Sequence, residues 1–178
     1  MLRGRANSCA RCRCFPPAAF KIATTLADGR VLVAGGTDGA FVHRSAEIYD
    51  PATSDFTDTG EMAQFRFAHT ATLMNDSRVL ITRDVKQREQ FIAEAGICDP
   101  PTDEFAITAS LLSARAYHTS TLLQNGKVLI VEGPRNQFEI LSSAELLNPT
   151  TDTFSDTSTM SVSGTRFASA WALSRQAR

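Results

Sequence analysis

Arg66, Arg115 and Arg166 recur along the chain at separations of 49 and 51 residues. Each stands just before a Thr/Ala/Leu-rich segment, and two of those segments carry a histidine, His69 and His118. Guanidinium groups at equivalent places in a repeat have two uses. They bond backbone carbonyls where one unit meets the next, or, gathered around a common axis, they form a ring that holds an anion. A histidine pair is a third option, as metal ligands. The first and fourth units, however, offer Ile22 and Ser169 at the matching places, so recurrence favours a structural role.

Other reactive residues are fewer. Cys9, Cys12 and Cys14 cluster near the start, and Cys98 is the only other thiol. A structural zinc site takes four ligands in paired groups, and this cluster has three. Cys98 falls at the repeat position of Tyr49 and Leu147, which suits a small buried hydrophobe. Gly35-Gly36-Thr37-Asp38-Gly39 lacks the Lys-Ser/Thr pair and the helix of a phosphate-binding loop. Its glycines instead permit a turn and a close backbone approach. No Gly-x-Ser-x-Gly elbow and no His-Glu-x-x-His helix occurs. No catalytic, cofactor-binding or metal residue is therefore assigned. Asn75-Asp76-Ser77 has the form of a glycosylation acceptor, which acts only along a secretory route.

The elements that position these residues follow from the repeat. Pro51, Pro100 and Pro149 are 49 apart, as are Phe56, Phe105 and Phe154. Val31, Val79 and Val128 are 48 and 49 apart. The segments Phe20–Leu26, Phe67–Leu73, Ala116–Leu122 and Phe167–Leu173 align as opening strands. A turn follows each of the first three: Asp28-Gly29, Asn75-Asp76-Ser77 and Asn125-Gly126. Such residues supply the positive φ of a tight hairpin. Next come apolar runs, Val31–Ala34, Val79–Ile81 and Val128–Val131, expected to be strands buried on both faces. The third strands end in Asp50-Pro51, Asp99-Pro100 and Asn148-Pro149, the start of a type I turn. The fourth strands, such as Phe56–Thr59, alternate and are expected to bury one face.

Four short strands per unit of about 49 residues, with paired glycines after the second, resemble Kelch repeats. Unit one carries the pattern as Asp28-Gly29-Arg30-Val31-Leu32-Val33-Ala34-Gly35-Gly36 and Ser45-Ala46-Glu47-Ile48-Tyr49-Asp50-Pro51. Unit three keeps half of the glycine signature as Glu132-Gly133, and unit two has Arg83-Asp84. The turns look most like those of bacterial Kelch proteins. The resemblance implies an all-β fold: three four-stranded antiparallel propeller blades and the first strand of a fourth. The expected divisions are a leader over 1–19, blades over 20–66, 67–115 and 116–166, and a fourth start over 167–178. Gly35, Gly36, Gly133, the three prolines and the three arginines are the expected structural signature.

Closed propellers have about four to eight blades. Three units therefore point to a piece of a longer propeller, or to self-association that completes a ring. The leader has four arginines and no acid, leaving 14 bases against 19 acids elsewhere. It lacks the apolar stretch of a signal peptide. Similar bacterial proteins are often exported, so the compartment stays open. The overall charge of −1 gives no reason to expect a nucleic-acid partner, and no apolar run is long enough for a membrane helix. The resemblance implies a non-enzymatic module that binds a protein or small ligand. Its contact surface is expected on the variable loops Thr37–Arg44, Asp84–Glu94 and Gly133–Leu141. The alternative is a partial or inactive piece of a galactose-oxidase-like copper enzyme, which needs tyrosine, cysteine and histidine ligands. No cofactor is expected in the first case.

Overall fold

The computed structural model describes residues 19–82, 85–86, 90–91, 93–134 and 141–160. All regular elements among them are strands. Blade 1 contains β1 (Ile22–Thr25), β2 (Val31–Ala34), β3 (Ala46–Asp50) and β4 (Asp55–Asp58). Blade 2 contains β5 (Thr70–Leu73), β6 (Val79–Thr82), β9 (Ala95–Asp99) and β10 (Glu104–Ile107). A small hairpin, β7 (Val85–Lys86) with β8 (Gln90–Phe91), projects between β6 and β9. Blade 3 contains β11 (Thr119–Leu122), β12 (Val128–Val131), β13 (Ala144–Asn148) and β14 (Thr153–Asp156). Each blade is a four-stranded antiparallel meander. Strands β1 and β11 both pack alongside β5, so the first strands form the inner edge of the array.

Local chemistry closes the turns. Gly29, Ser77 and Gly126 adopt φ of 87°, 68° and 80° in the first hairpins. Asp28, Asp76 and Asn125 each accept the backbone N–H two residues on, the local bond that makes Asx residues good turn formers. In the second turn, Ala52 N–H donates to Asp50 Oδ1 and Thr150 N–H to Asn148 Oδ1. The prolines at 51, 100 and 149 start these turns, where a missing N–H costs nothing.

Two apolar seams hold the blades together. Leu32, Ala34, Ala46, Ile48 and Met62 of blade 1 and its link meet Val79, Ile81 and Cys98 of blade 2. Leu80, Ala95, Ile97 and Leu111 of blade 2 and its link then meet Val128, Ile130 and Leu147 of blade 3. Burying each of the valines, leucines, isoleucines and methionines among them contributes about 1.5–3 kcal/mol. Hydrogen bonds cross the seams as well. Thr24 Oγ1 donates to Ala71 O (3.3 Å), and Thr72 Oγ1 to Ser120 Oγ (2.7 Å).

The structure corrects three expectations. The second strands are not all buried on both faces. Only β6 is buried throughout, while β2 and β12 alternate between buried and half-buried. Blade 2 has a neighbour on each side among the described residues, and blades 1 and 3 have one. The fourth strands also bury less than their alternation suggests. Phe105 and Phe154 reach a seam, but Phe56 is 55% exposed because blade 1 has no described blade on that side.

The third correction concerns register. The pairs Ile22–Ala34, Thr70–Thr82 and Thr119–Val131 are equivalent. Phe20, Ala68 and Tyr117 share φ of 50–59°. The first unit therefore aligns one residue earlier than its Phe20–Leu26 pattern suggests. Lys21, rather than Ile22, occupies the place of His69 and His118.

Candidate functional site

Arg115 ends the link between blades 2 and 3 and is fully buried. Its Nη2 donates to Glu145 Oε1 at 2.6 Å and to Ser143 Oγ at 3.2 Å, and its Nη1 donates to Ser143 O at 3.0 Å. Glu145, on β13, is also fully buried and accepts the N–H groups of Leu112 (2.7 Å) and Ser113 (3.0 Å). The carboxylate thus ties the preceding link to the following blade. Charges are kept inside a protein only when paired and bonded in this way.

Arg66, at the same place before blade 2, is 2% exposed and donates from Nη1 to Ile81 O at 2.9 Å. Gly96 stands where blade 3 has Glu145, and a Cβ there would lie 3.1 Å from Arg66 Nη2. Glycine therefore makes room for the guanidinium. Arg66 and Arg115 clamp links to blades, and the described pair does not form an anion ring around an axis. Arg166 lies outside the described residues.

His118 Nε2 sits 2.7 Å from Thr82 Oγ1 and 3.1 Å from Thr70 Oγ1. Burial, with Arg115 adding to it, pushes its pKa down to about 4. His69 occupies the same place one blade earlier, but blade 1 offers Ala34 where blade 2 has Thr82. Both ring nitrogens of His69 lack a hydrogen-bond partner. Burial first, then Arg66 and His118, lowers it to about 3. Both histidines are therefore neutral packing groups at neutral pH.

The glycine pair works at the same junction. Gly35 has φ of 64°, and a Cβ there would collide with Arg66 O and His69 Cε1. Gly36 has φ of 99°, and a Cβ there would lie 2.9 Å from Ala19 O. Glu132 and Gly133 repeat this geometry at φ of 63° and 100°, with Gly133 pressed against Ala116 O. The half-lost signature of unit three therefore keeps its backbone shape, with glutamate held in a left-handed conformation.

The donors of a copper centre do not come together. Cys98 is buried in the first seam, where burial pushes its thiol up to about 12. Tyr49 packs against Phe56 with the rings tilted, centroids 4.9 Å apart, and Tyr117 sits on a link. Among the described residues, no group of three or more His, Cys, Asp or Glu side chains is placed to hold a metal. Cys9, Cys12 and Cys14 lie outside the described residues. The described residues do not fit the copper group.

A surface that sequence reasoning only partly located lies at one end of the blades. The β2–β3 loops and the inter-blade links meet there, as the bonds Gly36 N–H to Arg66 O (2.8 Å) and Arg66 N–H to His43 O (3.0 Å) show. Phe20 (63%), Phe41 (65%), Phe65 (53%), Leu112 (57%) and Tyr117 (36%) are exposed at this end. Asp38 Oδ1 accepts the N–H groups of Ala40 (2.9 Å) and Phe41 (2.7 Å), fixing the loop that presents Phe41. Those bonds, with His43 nearby, hold the Asp38 carboxyl below its usual range. Arg44 lies over the Phe65 ring at 5.6 Å and pairs with Glu61 at 2.6 Å. The Phe41 loop falls within the expected contact segment 37–44; residues 84, 87–89 and 92 of the second segment and 135–140 of the third lie outside the described residues. At the other end, a groove of about 420 Å³ is lined by Arg78, Ile97, Asp99, Glu104 and Asp152, among others. Arg78 spans it, reaching Pro149 O at 3.1 Å and Asp152 at 3.7 Å.

Radially repeated four-stranded meanders, joined at their first strands, define a β-propeller blade array. Residues 22–63, which make up blade 1 and the start of its link, match the Kelch motif, and the same spacing recurs in blades 2 and 3. Solved structures with similar folds include a fungal alcohol oxidase of the AA5 family in complex with copper. It shares 17% identity at a TM-score of 0.59, over 79% of this chain and 30% of that one. YjhT shares 14% identity at a TM-score of 0.69, over 82% of this chain and 53% of that one. The chain thus spans under a third and about half of these two proteins. No curated protein sequence matches it.

Proposed function

We propose that the chain is a non-enzymatic Kelch-type binding module whose contact surface is the end carrying the β2–β3 loops and the links. One observation carries this. Of seven exposed large hydrophobic residues among those described, five lie at that end, while the other two, Phe56 and Ile107, lie on outer strands. Aromatic residues beside an arginine, on a braced loop, are the composition of a protein-binding surface. The occupant this chemistry fits is a peptide or protein segment with apolar anchors.

A peptide-display library panned on the immobilised chain tests this. Selected peptides should lose binding to a chain carrying F41S, F65S and Y117S, and keep it with F56S. Loss with F56S alone would point to the outer strands and overturn the assignment. A copper titration read by absorption is the second arm. Tight one-to-one binding would favour the oxidase-like alternative.

A further inference from the structure

The two seams differ at their outer edge. Between blades 1 and 2, Thr59 Oγ1 donates to Asp103 Oδ1 at 2.9 Å. The next residue, Gly60, lies so close that a Cβ there would collide with Asp103 O. The link after blade 1 is thus laid against the β9–β10 turn of blade 2. One period on, the counterparts are Thr108, Ala109 and Asp152. The methyl group of Ala109 bars the approach that Gly60 makes, and Thr108 and Asp152 do not bond to one another. Thr108 Oγ1 and Asp152 Oδ1 are both shielded and have no hydrogen-bond partner. Arg78 Nη2, at 3.7 Å from that Asp152 oxygen, is beyond hydrogen-bond range. A buried polar atom left unpaired is costly and calls for a partner. The groove of about 420 Å³ opens at this place and is lined by both residues.

The lining of the groove selects a charge. Asp99 and Glu104 stand directly opposite each other on β9 and β10, as Ile97 and Ala106 do on the same face. Ile97 turns that face towards blade 3. Like charges so placed repel. Asp50 and Asp55 oppose one another in blade 1 too, but Asp50 accepts the Ala52 N–H, as Asn148 accepts that of Thr150. Blade 2 has Pro101 at this place, and proline has no N–H, so Asp99 goes without the turn bond. The lining therefore sets three carboxylates, Asp99, Glu104 and Asp152, against Arg78, which Asp76 already holds at 2.7 Å. Among the described residues, no three such groups are placed to grip one metal ion. Ile97, Ala106 and Ala109 give the lining an apolar part.

We propose that this groove binds an alkylammonium group, which donates to Asp152 Oδ1 and Thr108 Oγ1 and lays its aliphatic stem on Ile97, Ala106 and Ala109. An ammonium carries three donors and no acceptor, which suits a site of orphaned oxygens and carboxylates. An anion would meet three carboxylates, and a neutral apolar ligand would leave both oxygens unpaired. The stem accounts for the apolar part of the lining, which a bare metal ion would not. A free aliphatic diamine and the lysine side chain of a partner protein both offer this group. The inference does not rest on the loop-end surface proposed above.

Isothermal titration calorimetry of the full chain tests it, with 1,5-diaminopentane and, separately, lysine blocked at its α-amino and carboxyl groups. At least one should bind saturably, with Kd of about 1 mM or tighter. Binding of the diamine alone assigns a small amine, binding of the blocked lysine alone a protein side chain, and binding of both the shared group. Asp152→Asn should weaken binding at least about tenfold, the loss of one charge-assisted hydrogen bond. Glu104→Gln, at an exposed site, should weaken it about two- to fivefold. Ala109→Gly lets this seam close as the first one does, and should weaken it at least about fivefold. Asp103→Asn, in the first seam, should leave it unchanged. Thermal melts check that the variants fold, and if D152N does not, E104Q and A109G decide. No saturable heat from either amine overturns the proposal. So does equal affinity for uncharged 1,5-pentanediol, or full affinity kept by folded D152N or by both E104Q and A109G. Tight calcium binding would replace the amine with a metal and overturn it too.

Discussion

Replacing Glu145 by Gln removes a charge that the fold has surrounded with donors. The carboxylate accepts Leu112 N–H at 2.7 Å, Ser113 N–H at 3.0 Å and Arg115 Nη2 at 2.6 Å. Glutamine keeps the shape but turns one oxygen into a donor, set against an N–H or the guanidinium. Both members of the pair are fully buried, so solvent screens little of the loss. Removing one partner of such a pair costs about 3–5 kcal/mol. In a chain of this size each 1 kcal/mol lowers Tm by about 2–4 °C, so E145Q should melt at least about 6 °C lower.

A double-mutant cycle sharpens the case. R115M and E145L should each be costly, but the double variant should cost less than their sum, because neither leaves the other's charge behind. It should not recover fully, since Leu112 and Ser113 still lose an acceptor at about 1–3 kcal/mol each. Urea unfolding followed by circular dichroism measures all four chains. A loss below about 1 kcal/mol for E145Q, or simple additivity in the cycle, would refute the clamp.

Further expectations concern the same junctions. His69 and His118 have folded pKa values lowered to about 3 and about 4 from 6.5. The unfolded chain therefore binds more protons between those values, and their contribution is complete above about pH 6.5 and falls as pH drops towards 4 and then 3. Unfolding free energies from urea melts at pH 7.5 and 5.5 should differ by about 1 kcal/mol or more per histidine, and a flat profile would count against burial. Ala34→Ser gives His69 the hydroxyl that Thr82 gives His118, and should stabilise by about 0.5–1.5 kcal/mol in the same assay. Glu132→Gly relieves a left-handed glutamate and should raise stability by about 0.5–1 kcal/mol, net of the entropy of glycine. Gly36→Ala, at φ of 99° and against Ala19 O, should cost at least about 2 kcal/mol in thermal melts.

Much of the fold was legible because the period repeats side chains that set backbone geometry. Asp28-Gly29 and Asn125-Gly126 mark hairpins by their φ requirement, and the Asp-Pro and Asn-Pro pairs mark the outer turns. The one-residue shift at Phe20 was not legible, since Thr, Ala and Leu fit the opening strand in either register. Positive φ at Phe20, Ala68 and Tyr117 decides it. Nor was the exposure of β2 and β12 legible. Val31–Ala34 and Val79–Thr82 have the same character, and only the presence of a neighbouring blade separates them. The arginines were found from their spacing, but Glu145 was missed. Its signal was the Ala-Glu pair at 46–47 and 144–145, which unit two breaks with Gly96. The partners of His118 escaped because Thr82 replaces Ala34 in an otherwise apolar run. The exposed aromatics at the loop end were visible as residues, but their common location depends on strand direction in all three blades.

Amide hydrogen exchange of the chain tests the blade array most directly. Strands buried on both sides should open last. The account expects β6 and β9, in the middle blade, to exchange most slowly, and the outer strands β4 and β14 to exchange fastest. Equal protection of β2, β6 and β12, or slowest exchange in an outer strand, would contradict the stacking of blade 2 between its neighbours.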